Sequence, residues 1–349
     1  MILSRLSKLF LSALFVSIIL LFFLLSWEVP IKTESAIRTV NNEILVNYDI
    51  RTDENSKTII NDFLSQSNKN LTVIETQRNR IARAEEKLRA EIPNLKIEYN
   101  NDLRIPEVIS PDFSRTTGFL TAPNNAKRAD ILREFIIRNS ELIGLNQTQI
   151  SQLEKTADYT NPDGNLSFVH FEQKINRIPV FRGERKAGFA KNNEIIRVIN
   201  NLAPNLDYEN LSHDFGTAET AVSNAARHIN LNATPNDTKQ IKNESNDLKI
   251  TFERGQFADK TTAEKMYFPI DYGVARTAWR VLIWTRHDAF YIIVDAETGT
   301  LLWRKSITSH QTQPATYNVY GNATSLVKTA DNPSPFTPGC LSPIGCPQP

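Results

Sequence analysis

The strongest constraint on this chain is a change of hydrophobic period that occurs twice. Ile131, Leu132, Phe135, Ile136, Leu142 and Ile143 fall at helical spacing and predict a broad apolar face, which Asn124 or Asn125 can cap and Gly144 ends. Asn161-Pro162-Asp163-Gly164 then reads as a turn, and beyond it Leu166, Phe168 and His170 alternate with Ser167, Val169 and Phe171 as in a half-buried strand. Further strands are predicted over 178–181, 186–190 and 194–199, with turns at Gly183 and at Asn192-Asn193. The second cycle opens at Thr217 or Thr220, where Ala221, Val222, Ala225 and Ile229 predict a helix. A polar loop over 232–247 follows, and then strands over 248–252, 266–270, 278–285, 290–295 and 301–307. The last two are joined by Asp295-Ala296-Glu297-Thr298-Gly299, whose glycine can supply a positive φ. The predicted fold is α+β: two successive helix-plus-antiparallel-sheet units.

The flanks differ from this pattern. Arg5 and Lys8 precede an uninterrupted apolar run that begins at Leu9 and ends at Leu25, an export signal. The run is slightly long for a cleaved signal peptide and slightly short for a bilayer span, and no small-x-small site follows at Ser26, Trp27 and Glu28. Signal peptide and membrane anchor both stay open. Everything after Trp27 is too polar to cross a membrane, so membrane contact is expected only through the run from Leu9 to Leu25, and the location is secreted or cell envelope. The stretch from Thr33 to Ile50 carries no clear signal. Ile74, Ile81, Leu88 and Ile92 make a narrow apolar stripe among arginines, lysines and glutamates, predicting a charged helix that Pro93 ends. From Ser309 onward Gln, Thr, Asn, Ser and Pro dominate, as in a linker or tail. The expected division is a signal or anchor over 1–26, an N-terminal region over 27–114, the two units over 115–215 and 216–308, and the Pro-rich tail over 309–349.

Several chemistries find no support. Forty basic against 39 acidic residues leave a net charge of +1, which gives nucleic acid no field to follow. The histidines, at 170, 213, 228, 287 and 310, are scattered; none begins H-E-x-x-H, so a local zinc hydrolase site cannot be built. There is no G-x-S-x-G elbow, phosphate loop or dinucleotide fingerprint, and no cofactor is expected. The two cysteines, Cys340 and Cys346, both lie in the tail, where they either close a small disulfide loop or stay idle thiols. The aromatic set Trp279, Trp284, Phe290, Tyr291 and Trp303 reads as core packing before a sugar-stacking face, because it alternates across three short strands. No catalytic or metal-binding residue is assigned.

The run Gly118-Phe119-Leu120-Thr121, the helix to Ile143-Gly144-Leu145 and the segment FVHFEQKINRIPVFRGERKAGFAKNNEIIRVINNLAP together resemble the prosegment of fungalysin- and thermolysin-type zinc metallopeptidase precursors. Gln173, Ile178, Pro179 and Val180 match that pattern; Arg177 stands where the family usually has Gly, and Asn192-Asn193 replaces its usual Asp-Gly turn. The later stretch ARTAWRVLIWTRHDAFYIIVDAETGTLLWRKSI resembles the second prosegment module, called PepSY, through Trp279, Val294-Asp295-Ala296 and Thr298-Gly299. The resemblance covers roughly residues 115 to 310 and does not include a peptidase domain. It implies a non-catalytic protein that helps a secreted zinc metallopeptidase domain fold and covers its cleft, whether standing alone or as part of a precursor. The alternative is an envelope-anchored binding or regulatory module with no peptidase partner.

Overall fold

The computed structural model describes residues 45–67 and 71–308, all within one compact unit. A short strand β1 (Tyr48–Asp49) leads into helices α1 (Lys57–Gln66) and α2 (Leu71–Glu91). The charged-helix reading holds for α2: Ile74, Ile81 and Leu88, two turns apart, are all buried while most of its other described side chains stay wet. Strands β2 (Leu95–Tyr99) and β3 (Pro106–Pro111) follow, then helices α3 (Arg128–Arg138), α4 (Ser140–Ile143) and α5 (Gln147–Ser151).

The predicted face over 131–143 is present and buried, but it is built from two helices. The break falls at Asn139, whose side-chain Nδ2 donates back to the Phe135 carbonyl at 2.8 Å. Gly144 closes α4 in the left-handed region, φ 74°, as the sequence predicts. The cap is different from the expected one: α3 starts at Arg128, with Lys127 at its N-cap and no side-chain cap. Asn124 is used elsewhere, its Oδ1 accepting the Ala126 N–H and its carbonyl accepting Asn193 Nδ2.

The first sheet contains β4 (Glu154–Thr160), β5 (Ser167–Ile175), β6 (Ile178–Phe189) and β7 (Ile195–Asn200). The turns at 161–164 and 192–193 are present, with Gly164 and Asn193 at positive φ. Gly183 is no turn, which corrects the expectation of two strands there: β6 runs unbroken for 12 residues. Arg182 alone takes a positive φ of 55°, kinking the strand without ending it. Gly183 lies so close to its neighbours that an added Cβ would come within 2.9 Å of Val180 Cβ and 3.1 Å of Gln173 Cβ.

After the crossing segment comes α6 (Ala218–Arg227), capped as predicted by Thr217, whose side chain accepts the Thr220 N–H. The polar loop over 232–247 holds a short 3₁₀ turn and an isolated bridge from Gln240 to Phe252. Strands β8 (Lys249–Phe252), β9 (Thr261–Asp271), β10 (Val274–Trp284), β11 (Ala289–Asp295) and β12 (Leu301–Ser306) form the second sheet, closed by β1 on β12. Neighbours pair in the order β1-β12-β11-β10-β9-β6-β7-β3-β2, with β5 between β4 and β6, and β8 on β9. All described pairs are antiparallel except the contact of Val180 in β6 with Tyr267 in β9, which joins the two sheets. The α+β class is therefore as expected, with the two sheets continuous.

Two apolar cores result. One gathers α1 to α4 against Val169, Phe171, Ala187, Phe189 and Val198, and extends to Met266, Phe268, Ile293 and Leu302 of the second sheet. The other packs α6 through Ala221, Val222 and Ala225 on Trp279, Val281, Ile283, Ile292 and Val294. Each of these larger side chains contributes roughly 1.5–3 kcal/mol by leaving water. The aromatic set divides accordingly. Trp279 and Phe290 lie under α6, Trp303 packs on the other face with its ring 5.2 Å from Phe181, and Trp284 and Tyr291 are half-buried.

Candidate functional site

Between β7 and α6 the chain crosses from the first sheet to the second over residues 201–217, and two of the residues that the resemblance singles out, Gln173 and Trp279, hold this crossing. Gln173, on the buried face of β5, is 0% exposed. Its Oε1 accepts the Ala203 N–H at 2.8 Å, and its Nε2 donates to the Ala203 carbonyl at 3.0 Å and to the Tyr208 hydroxyl at 2.9 Å. Tyr208 is mostly enclosed, and burial pushes its hydroxyl pKa up. Further along, Trp279 Nε1 donates to the Phe215 carbonyl at 2.6 Å. Gln149, in the capping box of α5, adds a third tie by donating Nε2 to the Leu206 carbonyl at 2.7 Å.

The crossing, His213 included, walls a polar cleft of about 1220 Å³ with α5 and the β5–β6 turn. Lys174 sits in its side, bound to Glu154 at 2.7 Å and Glu172 at 3.1 Å, and the Glu154 carboxylate holds its ammonium above the ordinary lysine range. Arg177 at the rim pairs with Asp247. His213 Nδ1 lies 3.0 Å from the Tyr267 hydroxyl. Both signs of charge and several amides face the cleft, an arrangement that suits hydrogen bonding to a polypeptide better than concentrating one ion type. Among the described residues no group of three or more His, Cys, Asp and Glu side chains is placed to hold a metal ion.

None of the marked residues lines the cleft itself: Gln173 and Trp279 lie behind the crossing segment, and the others are placed elsewhere. Pro179 pairs with Lys174 next to the β5–β6 turn. Asp295 is 1% exposed and closes its own hairpin: Oδ1 accepts the N–H groups of Glu297 and Thr298, while Arg276 donates Nε to Oδ2 at 2.8 Å. Gly299, φ 71°, passes over Asn224 of α6, and its carbonyl meets His228 Nε2 at 2.9 Å. His170 is half-buried on β5, its ring 5.8 Å from Tyr159, and burial lowers its pKa. Cys340, Cys346 and the apolar run from Leu9 to Leu25 lie outside the described residues. Among the described residues no helix is long and apolar enough to cross a membrane. Sequence reasoning missed Gln149, Tyr208 and the buried Arg185; of these only Gln149 carries a local signal, the Asn146-x-x-Gln149 capping box.

No family model matches the chain. No curated protein matches it either. Among solved structures, the C-terminal domain of YpeB from Bacillus megaterium is similar with a TM-score of 0.25 and 9% identity, over 66% of this chain and 97% of that one. A likeness that slight fixes neither partner nor chemistry.

Proposed function

We propose that this chain is a prosegment-like protein that catalyses no reaction itself and presents a preformed surface to a secreted zinc metallopeptidase, aiding its folding and covering its cleft. The observation that carries this reading is the placement of Gln173 and Trp279. Each is a residue of the resemblance, and each spends its polar group on the segment that joins the two sheets. Clamping that joint lowers the entropy lost when both sheets face one partner, which is what a template or a tethered inhibitor requires.

The test is a titration of the purified chain into a fungalysin-type peptidase, and separately into its refolding reaction. Slower peptide cleavage and a higher yield of refolded enzyme are expected. If neither changes at protein concentrations well above the enzyme's, the reading fails. It fails equally if the contaminant-free chain cuts peptides in a manner that a chelator abolishes.

A further inference from the structure

Arg185 lies in β6 on the face that Ala187 and Phe189 continue into the core. It is 0% exposed, and Phe171, its cross-strand neighbour, is 1% exposed. A guanidinium stays protonated at neutral pH, so a full positive charge sits among apolar side chains. Among the described residues no carboxylate pairs with it; Nη1 reaches Asn200 Oδ1 only at 3.4 Å, a long and weak bond. Asn200, itself 0% exposed, has its amide direction fixed because Nδ2 donates to the Pro106 carbonyl at 3.0 Å.

The two donors left without a partner are Nε and Nη2. Their N–H bonds run parallel along one edge of the guanidinium, the edge that grips a carboxylate or bridges a single anion. A buried charge left uncompensated is among the costliest features a core can hold, and a water molecule would satisfy the donors without neutralising the charge. We propose that the Nε/Nη2 edge of Arg185 is an interior binding site for a small monovalent anion, a halide or a carboxylate the size of formate, enclosed as the chain folds. This inference is independent of any peptidase partner.

Linkage makes it testable. The full chain is dialysed exhaustively into sodium gluconate, whose anion is far larger than chloride or formate, and its thermal midpoint is followed as chloride or formate replaces gluconate at constant ionic strength. An anion held only by the folded state raises the midpoint by a steady increment for each tenfold rise in its concentration. That rise is expected in the wild-type chain with at least one of the two anions, and Arg185→Met, which removes the charge and keeps an unbranched apolar side chain, is expected to show a flat response. No response to either anion in the wild type, or an equal one in the variant, overturns the proposal. Should the variant fail to fold, crystals of the wild-type chain grown in bromide and in formate decide: an anomalous bromide peak or formate density within hydrogen-bond distance of Nε and Nη2 supports the site, and water or empty density there in both refutes it.

Discussion

The carboxamide of Gln173 and the backbone of Ala203 form a closed pair, with one hydrogen bond running each way at 2.8 and 3.0 Å. A side chain here does what a neighbouring strand does in a ladder, and it does so out of reach of water. Gln173→Ala leaves the Ala203 N–H and carbonyl buried without partners and frees the Tyr208 hydroxyl. Each orphaned group costs about 1–3 kcal/mol, so a loss of about 2–5 kcal/mol is expected in urea unfolding. Gln173→Glu keeps the acceptor but turns a carboxylate oxygen toward the Ala203 carbonyl, and should be at least as damaging at neutral pH. A loss below about 0.5 kcal/mol in the alanine variant would show that the crossing segment is held by other contacts.

The β5–β6 turn has two residues, Asn176 and Arg177, between the paired Ile175 and Ile178, and both take positive φ, 51° and 69°. That is the geometry in which a glycine avoids the clash of Cβ with the backbone. Arg177→Gly removes a strain of about 1–2 kcal/mol and gives back part of it through the greater freedom of glycine in the unfolded chain, about 0.5–1 kcal/mol. Its ion pair with Asp247 is solvent-exposed and contributes little. A net gain of about 0.5–1 kcal/mol should appear as a raised thermal midpoint; an unchanged or lower midpoint would count against the strain argument.

What the sequence reveals and conceals follows from how local each cause is. The stripe of Ile74, Ile81 and Leu88 and the stop at Gly144 are local, and both are found in the structure as read. Gly183 misleads because the decision lies elsewhere: β6 stays one strand because β5 and β7 flank it, and Arg182 absorbs the kink. β1 exists only because Arg304 and Trp303 of β12 receive it from the far end of the chain. β4 was unreadable for another reason: nearly all its side chains are exposed, so it lacks the alternation that marks a strand. At the site, the resemblance pointed to Gln173 but not to its partner Ala203. Nothing in the neighbourhood of Arg185 distinguishes it from the exposed Glu184 beside it.

Gly299 should tolerate no side chain. Its φ of 71° strains any Cβ, and a Cβ there would press into the amide of Asn224, which is buried on α6 and bonded to Arg227 of the same helix. Gly299→Ala is expected to cost about 1–3 kcal/mol. Adding Asn224→Ala should restore part of that loss by clearing the contact. If the double variant is no better than the sum of the two single losses, Asn224 is not the obstacle.

Acid should loosen the loop that leads to β8 through Asp237. This carboxylate is 0% exposed and accepts four hydrogen bonds: Oδ2 from the Thr234 N–H at 2.5 Å, Thr234 Oγ1 at 2.7 Å and Gln256 Nε2 at 2.6 Å, and Oδ1 from the Gln256 N–H at 2.7 Å. Burial alone would raise its pKa, but these bonds outweigh it and hold the group below its ordinary 3.8. The folded state therefore binds this proton less readily than the unfolded chain does. The stability it contributes is complete above the unfolded pKa and drains away as pH falls through the lower folded value. Asp237→Asn should be less stable than the wild type by about 2 kcal/mol at pH 7, since an amide turns donors toward donors. The gap should narrow below about pH 4, where the unfolded wild-type chain takes up the proton first, and go on narrowing as pH falls toward the lower folded value. Glu264, lowered by Arg280 and Lys249 against the opposing effect of burial, leaves both proteins with a shared acid sensitivity, so the difference between their urea midpoints is the quantity to follow. A difference that stays constant from pH 7 to pH 3 would mean that Asp237 carries no ionised advantage in the fold.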